Sequence, residues 1–285
     1  TNIITPVVSV ITNISFDHTA FLGDTLQKIA SEKAGIIKKG IPVVIGESVK
    51  ETRNVFERKA NEVNSPILFA EDKNNIINYQ IIENGRILYN TTNYGLINGE
   101  LGGFCQIKNT NTILNAIDLL KEQGFDIKDT DVHKGFANVC EMTGLMGRWQ
   151  TIQERPKVVC DTGHNVGGFE WITKQLNEVA CHKRIVFGMV NDKDIDGVLN
   201  MLPKNATYYY CEASVKRAMQ CGKMKELAFK HGLDGMSCGS VAEAYNKALE
   251  DSDEDDFIYV GGSSFVVADL LTHIGQNSNL NAKKI

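Results

Sequence analysis

Apolar and β-branched residues form short continuous runs along the first 70 positions, and amphipathic segments separate these runs. Such runs are typical of strands that are buried on both faces of a parallel sheet. Strands are predicted at 6–14, 41–46 and 66–70. Helices are predicted at 25–37, with Asp24 as the N-cap, and at 49–63. The alternation of strands and helices predicts a doubly wound α/β sheet.

The pattern changes after residue 76. Residues 79–89 predict a hairpin, because apolar segments flank the pair Asn84-Gly85, which suits a type I′ turn of two residues. We therefore expect a small antiparallel insert. Helices are predicted to follow at 106–123 and 130–139, before a Gly-containing connector at 141–147. We place the domain boundary in this connector, which gives the domains 1–146 and 147–285.

The second half of the chain repeats the alternation of strands and helices. Strands are predicted at 157–161, 184–188, 208–211 and 257–260. Helices are predicted at 166–179, 194–202, 222–231 and 263–273. These elements predict a second, smaller α/β domain. We interpret the acidic run 251–256 as a solvated loop.

Composition excludes several classes of protein. The 285 residues carry a formal charge of −5 without a Lys/Arg stripe, which argues against a nucleic-acid partner. Seven scattered cysteines form no C-x-x-C pair, so neither a disulfide framework nor a zinc knuckle is indicated, and a reducing, cytoplasmic location fits best. No apolar run reaches 18 residues, so no membrane span is expected.

Two residues of the first domain are candidates for chemistry. Lys33 falls on the apolar stripe of the first predicted helix, where it is either a snorkelling lysine or a desolvated amine that can act as a nucleophile or be carbamylated. His18 follows the first strand, at the sheet edge where α/β proteins bind ligands. It is therefore either a ligand of a divalent metal ion or a loop histidine without a role.

The second domain has a similar arrangement at 161–165, where a strand ends and a helix begins. The helix N-terminus suits an anion, and Asp161 could accept a hydrogen bond from a ribose or an ammonium group. The alternative is a helix-capping turn, because Asp, Thr and Asn all cap well. The segment 261–264 has similar potential for a carboxylate. Arg148 follows the connector and suits a phosphate in a cleft between the domains.

Together, these segments closely resemble folylpolyglutamate synthase/dihydrofolate synthase, a branch of the Mur-ligase-like, ATP-dependent amide ligases. The matching segments span almost the whole chain in family order: Asn2-Ile3, 9–12, 17–19, 22–25, 32–36, 106–109, 147–149, 161–165, 187–188 and 192–194. The pair of motifs H-T-x-x-L-G-D-T and E-K-A-G-I, at 18–25 and 32–36, favours the folate branch over the cell-wall ligases.

The resemblance implies a fold, a reaction and its substrates. The fold would be an incomplete P-loop-type parallel-sheet ATPase domain with a small antiparallel insert, followed by a smaller Rossmann-like α/β domain that ligates glutamate. ATP with Mg²⁺ would phosphorylate a carboxylate of folate or dihydropteroate. The amine of L-glutamate would then attack the acyl phosphate to form an amide. Members of the family are usually monomers that act on small molecules.

The resemblance also implies a role for each candidate residue. His18 would bind Mg²⁺, and Lys33 would be the catalytic lysine that the family carbamylates near the metal. The residues that would contact ATP are Asn109, Arg148 and Asp161. His164 would take part in catalysis by placing glutamate or the acyl phosphate.

One departure from the family pattern limits these expectations. No G-x-x-x-x-G-K-[ST] loop occurs in the chain, and the family carries its loop before the counterpart of Thr1. Because the β- and γ-phosphates of ATP would lack their main cradle, we expect an inactive fragment with negligible ligase activity. Two alternatives stay open, namely a non-catalytic homologue used as a binding module and a cell-wall Mur-type ligase.

Overall fold

A computed structural model describes residues 3–16 and 23–282 of the chain. The chain divides into two compact units, Thr1–Gly144 and Leu145–Ile285, which we call unit 1 and unit 2. Unit 1 begins with a parallel sheet and continues into an antiparallel insert, whereas unit 2 is built around one larger sheet. The predicted α/β class is therefore confirmed.

In the described part of unit 1, three parallel strands form a sheet in the order β1-β2-β3. These strands are β1 (Ser9–Ile11), β2 (Val43–Ile45) and β3 (Ile67–Phe69). They alternate with the helices α1 (Leu26–Lys33) and α2 (Lys50–Glu62). Apolar side chains of both helices pack with the sheet in one core, which includes the fully buried Ala30, Val43, Ile45, Phe56 and Ala60. The predicted order of strands and helices is correct for this region.

The first helix begins and ends differently from its prediction. Thr25, and not Asp24, is the N-cap, because its hydroxyl accepts a hydrogen bond from the Lys28 N–H at 3.3 Å. The Asp24 carboxylate instead pairs with the Lys28 ammonium at 2.8 Å. The helix stops at Lys33, and a single 3₁₀ turn, Ala34–Ile36, completes the predicted segment.

The insert is a three-stranded antiparallel sheet in the order β4-β5-β6, counted over the described residues. Its strands are β4 (Ile76–Ile81), β5 (Ile87–Thr91) and β6 (Gly95–Gly99). The hairpin β4–β5 is confirmed, but its two-residue turn is wrong: pairing ends at Ile81 opposite Ile87, and a 3₁₀ turn, Glu83–Gly85, lies between them. The insert packs with α3 (Cys105–Glu122) and α4 (Asp129–Ala137), which a short helix α5 (Val139–Thr143) follows.

Within the described residues, unit 2 holds a six-stranded sheet in the order β11-β10-β9-β12-β8-β7. The strands are β7 (Gln150–Glu154), β8 (Lys157–Asp161), β9 (Lys183–Phe187), β10 (Ala206–Glu212), β11 (Gly235–Ser240) and β12 (Phe257–Gly261). All neighbours are parallel except β7, which runs antiparallel to β8. Three helices, α6 (Val166–Glu178), α7 (Ile195–Met201) and α8 (Cys221–Lys230), cover one face. Two more, α9 (Val241–Glu250) and α10 (Ser264–Ala282), cover the other.

Three elements of unit 2 were not predicted, namely β7, β11 and α9. Strand β11 is rich in Gly and Ser, which lowers its strand propensity, and both β7 and β11 lie at the edges of the sheet. Helix α9 carried a usable signal, because Ser240 and Glu243 form a capping box at its start. The solvated-loop interpretation of 251–256 is wrong for Asp256, which is buried against Arg184. No described helix combines the length and apolar content needed to cross a bilayer.

Candidate functional site

The carboxyl ends of β1 and β2 approach each other closely in unit 1. The Gly46 N–H donates to the Ile11 carbonyl at 2.8 Å, and the Glu47 N–H donates to the Thr12 carbonyl at the same distance. A Cβ atom at Gly46 would collide with the Thr12 carbonyl oxygen and lie 2.6 Å from Thr112 Oγ1 on α3. Glycine is therefore required where these two loops and α3 meet.

Lys33 reaches this edge of the sheet from the last turn of α1. Its Nζ donates to the carbonyl oxygen of Asn13, two residues beyond the end of β1, at 3.0 Å. The Lys33 side chain is half-buried, whereas Ile29 and Ala30 on the same helix are fully buried. The amine thus lies beside the chain segment that leads towards Asp17 and His18. Asp17 and His18 themselves are outside the described residues.

Helix α3 carries the third candidate residue of unit 1. Asn109 is half-buried, and its Nδ2 donates to the Oε1 of Gln106, one turn earlier, at 3.2 Å. Gln106 is buried, so it limits the orientations of the Asn109 amide. Sequence reasoning assigned no role to Gln106, although it stands three residues before Asn109 in the matched motif.

A cleft of about 500 Å³ with both polar and apolar lining residues opens beside α3. Gly46, Glu71 and Lys108 are among its lining residues. The Glu71 carboxylate accepts a hydrogen bond from the Ser48 N–H at 2.9 Å and lies 3.9 Å from the Lys108 ammonium. Glu71 therefore ties the loop after β2 to α3 at the wall of this cleft.

In unit 2, the last residue of β8 organises the loop that follows. One oxygen of Asp161, Oδ2, accepts a hydrogen bond from the Trp149 N–H at 2.7 Å. The other, Oδ1, accepts one from the Gly163 N–H at 2.7 Å. Only 9% of Asp161 is exposed, and burial raises the pKa of its carboxyl; the two N–H groups and the charges of Arg148 and His164 oppose that rise.

Arg148 lies against the same loop. Its Nη1 donates to Thr162 Oγ1 at 2.8 Å, and the Thr162 N–H donates to the Gly147 carbonyl at 2.9 Å. The Arg148 side chain is exposed on unit 2, where its guanidinium can meet a ligand. Thr162 therefore fixes both the backbone before Arg148 and the guanidinium itself, a role that sequence reasoning missed.

His164 closes the loop before α6. Its Nδ1 lies 3.1 Å from the Thr162 carbonyl oxygen. A carbonyl oxygen only accepts, so Nδ1 donates to it. Asn165 is the N-cap of α6 and accepts from the Gly168 N–H at 2.8 Å. The capping role thus belongs to Asn165, whereas Asp161 holds the loop itself.

The segment after β12 forms a similar turn. Gly262 has a φ of +100°, and Ser263 is buried with its Oγ accepting from the Val266 N–H at 3.2 Å. The Ser263 hydroxyl is therefore engaged in capping α10. A carboxylate site at 261–264 stays a prediction.

The structure brings three predicted residues together in unit 2, because Arg148 and His164 both form hydrogen bonds with Thr162, the residue that follows Asp161. In unit 1 it places the amine of Lys33, the last residue of α1, at the Asn13 carbonyl beyond β1, and it places Asn109 on α3. Over residues 3–16 and 23–282, no group of three or more His, Cys, Asp or Glu side chains could hold a metal ion.

Residues 147–264 match the family described as Mur ligase, glutamate ligase domain. Among curated relatives, the dihydrofolate synthase/folylpolyglutamate synthase of Escherichia coli K12 is 28% identical over 280 residues, which are 95% of this chain and 61% of that protein. The Bacillus subtilis protein of the same name is 32% identical over 208 residues, 71% of this chain and 47% of the relative. The chain thus spans about three fifths of the length of the E. coli relative.

Solved structures give the same result. E. coli FolC in complex with DHPP and ADP aligns with a TM-score of 0.77 and 26% identity, covering 97% of this chain and 63% of the other. Folylpolyglutamate synthase of Mycobacterium tuberculosis, complexed with ADP, aligns with a TM-score of 0.82 at 24% identity, covering 96% and 64%, and shows the fold alone. The resemblance found in the sequence is therefore confirmed: the chain is similar to the dihydrofolate synthase/folylpolyglutamate synthases over most of its length, and its residues 147–264 match the Mur ligase, glutamate ligase domain family.

Proposed function

We propose that this chain is part of an ATP-dependent ligase that joins L-glutamate to a carboxylate of folate or dihydropteroate. The observation that carries the proposal is the cluster of Arg148, Asp161 and His164 where β8 ends and α6 begins, within the region of the glutamate ligase domain match. A helix N-terminus beside an exposed guanidinium suits anionic substrates. One solved relative is in complex with DHPP and ADP, and another has Mn, AMPPNP and L-glutamate bound. These ligands support the same substrates for this chain.

The two domains would have different roles in the reaction. We propose that residues 1–146 are the C-terminal part of the ATPase domain and residues 147–285 the glutamate-ligase domain. Asn109, Arg148 and Asp161 would contact ATP, and His164 would place glutamate or the acyl phosphate. Arg148 is suited to a phosphate group, because a guanidinium donates two parallel hydrogen bonds to phosphate oxygens.

The reaction has two steps with a shared need for positive charge. A carboxylate oxygen of the pterin substrate attacks the γ-phosphorus of ATP, which yields an acyl phosphate and ADP. The neutral amine of glutamate attacks the acyl carbon, and the tetrahedral adduct expels phosphate to leave an amide. Negative charge builds on the transferring phosphoryl group and on the adduct, so cationic groups must be in place beforehand.

Lys33 would help to bind the metal ion of the site. Its neutral amine would add to CO₂ with release of a proton, and the resulting carbamate would be a carboxylate ligand for a divalent cation such as Mg²⁺. When bound, that cation would neutralise charge on the phosphates. The position of Lys33 at the end of β1 fits this role, since the chain leads on from there to His18, the other proposed ligand.

A nucleotide-binding assay tests the cluster in unit 2. We expect Arg148→Ala to weaken Mg²⁺–ADP binding by about tenfold or more, because a charge-assisted contact to phosphate is lost. The matched control is Arg155→Ala, since Arg155 is also an exposed arginine of unit 2, 3.9 Å from Glu254. Equal affinities of the wild type and both variants in calorimetry would contradict the proposed ATP contact.

The second test concerns turnover. The 285 residues contain no phosphate-binding loop, so we propose that this chain by itself has negligible ligase activity. ADP release would be followed with ATP, Mg²⁺, L-glutamate and either dihydropteroate or tetrahydrofolate. Turnover at the rate of an intact ligase would refute the inactivity. Turnover of a UDP-linked substrate instead of a folate would favour the cell-wall ligase, and ADP binding without any turnover would favour a binding module.

A further inference from the structure

Trp149 links the core of unit 2 to the loop that carries the candidate site. Its indole ring lies 6.2 Å from the ring of Phe257 and 6.0 Å from that of Tyr259, measured between centroids. Both partners belong to β12 and are buried. The side chain of Trp149 is thus packed on the central part of the sheet, although the residue before it, Arg148, is exposed.

The backbone of Trp149 is held in an unusual conformation. Its φ is +45°, in the left-handed region that bulky residues rarely adopt and that persists only when the surroundings enforce it. In this conformation the Trp149 N–H donates to Asp161 Oδ2 at 2.7 Å. The ring on the sheet and the hydrogen bond to Asp161 fix the residue from two sides.

Gly147 completes the turn on the other side of Arg148. Its φ is +72°, its N–H donates to Gln150 Oε1 at 2.8 Å, and its carbonyl accepts from the Thr162 N–H. A Cβ atom at Gly147 would lie 2.7 Å from Thr162 Cγ2. The turn 147–149 therefore sits directly on the loop that begins at Asp161, with Arg148 at its tip.

We propose that Trp149 is a positioning residue, which holds the turn 147–149 on the Asp161 loop and thereby directs Arg148 towards its ligand. The nucleotide part of this proposal rests on the proposed function of Arg148. Without the indole ring, the backbone at position 149 is free to leave the left-handed region. The N–H bond to Asp161 is then lost, and the Arg148 guanidinium is no longer held at Thr162.

The anchoring is tested without a ligand, by amide hydrogen exchange of the 285-residue chain. In Trp149→Ala, we expect the amides of residues 149 and 162 to exchange at least about tenfold faster than in the wild type. Trp149→Phe keeps a ring on Phe257 and Tyr259 and should restore most of the protection. Tyr245→Ala, a core truncation on the opposite face of the sheet, is the control for general destabilisation and should leave both amides protected. Unchanged exchange in Trp149→Ala, or equal acceleration in Tyr245→Ala, would overturn the anchoring role.

The action through Arg148 is tested by a double-mutant cycle with Mg²⁺–ADP as the probe. We expect Trp149→Ala to weaken binding about tenfold when Arg148 is present, and by less than about twofold in an Arg148→Ala background. Losses that simply add would show that Trp149 does not act through Arg148. If the wild type binds no ADP, the proposed function and the nucleotide part of the proposal both fail, whereas the exchange result still decides whether Trp149 anchors the turn.

Discussion

Arg184 and Asp256 form an ion pair of 2.8 Å, in which guanidinium Nε donates to carboxylate Oδ2 and the two side chains are 14% and 9% exposed, respectively. The Arg184 Nη1 also donates to the hydroxyl of Tyr209 at 2.9 Å, and that hydroxyl donates to Asp251 at 3.1 Å. The network joins the first residues of β9 and the middle of β10 to the acidic loop that precedes β12.

Replacing Arg184 while Asp256 stays in place should therefore destabilise unit 2 strongly. We expect Arg184→Ala to lower the free energy of unfolding by about 3–5 kcal/mol, because it leaves the Asp256 carboxylate buried without its cation. Arg155→Ala is the control, since the pair of Arg155 with Glu254 is exposed and should contribute about 0–1 kcal/mol. Urea unfolding measures both, and similar small losses would show that the Arg184 pair does not stabilise the fold.

The acidic run 251–256 shows why some contacts could not be predicted from sequence. Its charges are local and obvious, but the partner of Asp256 lies 72 residues earlier, on a strand that was predicted from its apolar residues alone. The apolar parallel strands of both units could be predicted, because a continuous apolar run has few alternatives to burial in a parallel sheet. Strand β11 could not, because its sequence is rich in Gly and Ser and carries little apolar signal.

Some features of the candidate site could likewise be predicted from the sequence, and others could not. The loop at 161–165 follows from local information, since a strand ends and a capped helix begins there. The packing of Arg148 on Thr162 does not, because it depends on a left-handed backbone at Trp149, a conformation that no sequence pattern indicates for an aromatic residue. Lys33 was placed correctly on its helix, but only the fold shows that its amine reaches Asn13 at the end of β1.

Tyr259 carries a buried hydroxyl that should contribute little to stability. Among the described residues its oxygen has no hydrogen-bond partner, and the side chain is completely buried. We expect Tyr259→Phe to leave the free energy of unfolding unchanged or to raise it by up to about 1 kcal/mol, because an unsatisfied donor is removed. The matched variant is Tyr208→Phe, which loses a buried bond of 2.6 Å to the Pro203 carbonyl and should cost about 1–2 kcal/mol. Equal losses in thermal unfolding would mean that the Tyr259 hydroxyl has a partner in solution.

The cysteines should differ widely in reactivity. Cys181 is exposed, whereas burial raises the pKa of the Cys160 thiol to about 12 and also raises that of Cys211. Because the thiolate is the nucleophile, we expect iodoacetamide at pH 8 to alkylate Cys160 and Cys211 at least about a hundredfold more slowly than Cys181. Mass spectrometry of digested protein locates the label, and Cys181→Ser should remove the fast phase. Rapid labelling of Cys160 in the folded chain would contradict its burial.

The titration of Asp161 should leave a signature in the pH dependence of stability. Its pKa is raised by burial above the ordinary value of 3.8, so between the two values the unfolded chain has released a proton that the folded chain retains. The free energy of unfolding therefore falls as the pH rises through that window. Since Asn cannot titrate, we expect the stability of the wild type relative to Asp161→Asn to decrease from pH 4 to pH 7 in urea unfolding.

Asp251→Asn is a control in which the pH dependence has the opposite sign. The Lys247 ammonium, 2.9 Å from the Asp251 carboxylate, lowers the pKa of Asp251. The stability of the wild type relative to Asp251→Asn should therefore be lost as the pH falls below 3.8, the ordinary pKa of an Asp carboxyl. A relative stability of Asp161→Asn that does not change with pH would show that the Asp161 carboxyl titrates alike in the folded and unfolded chains.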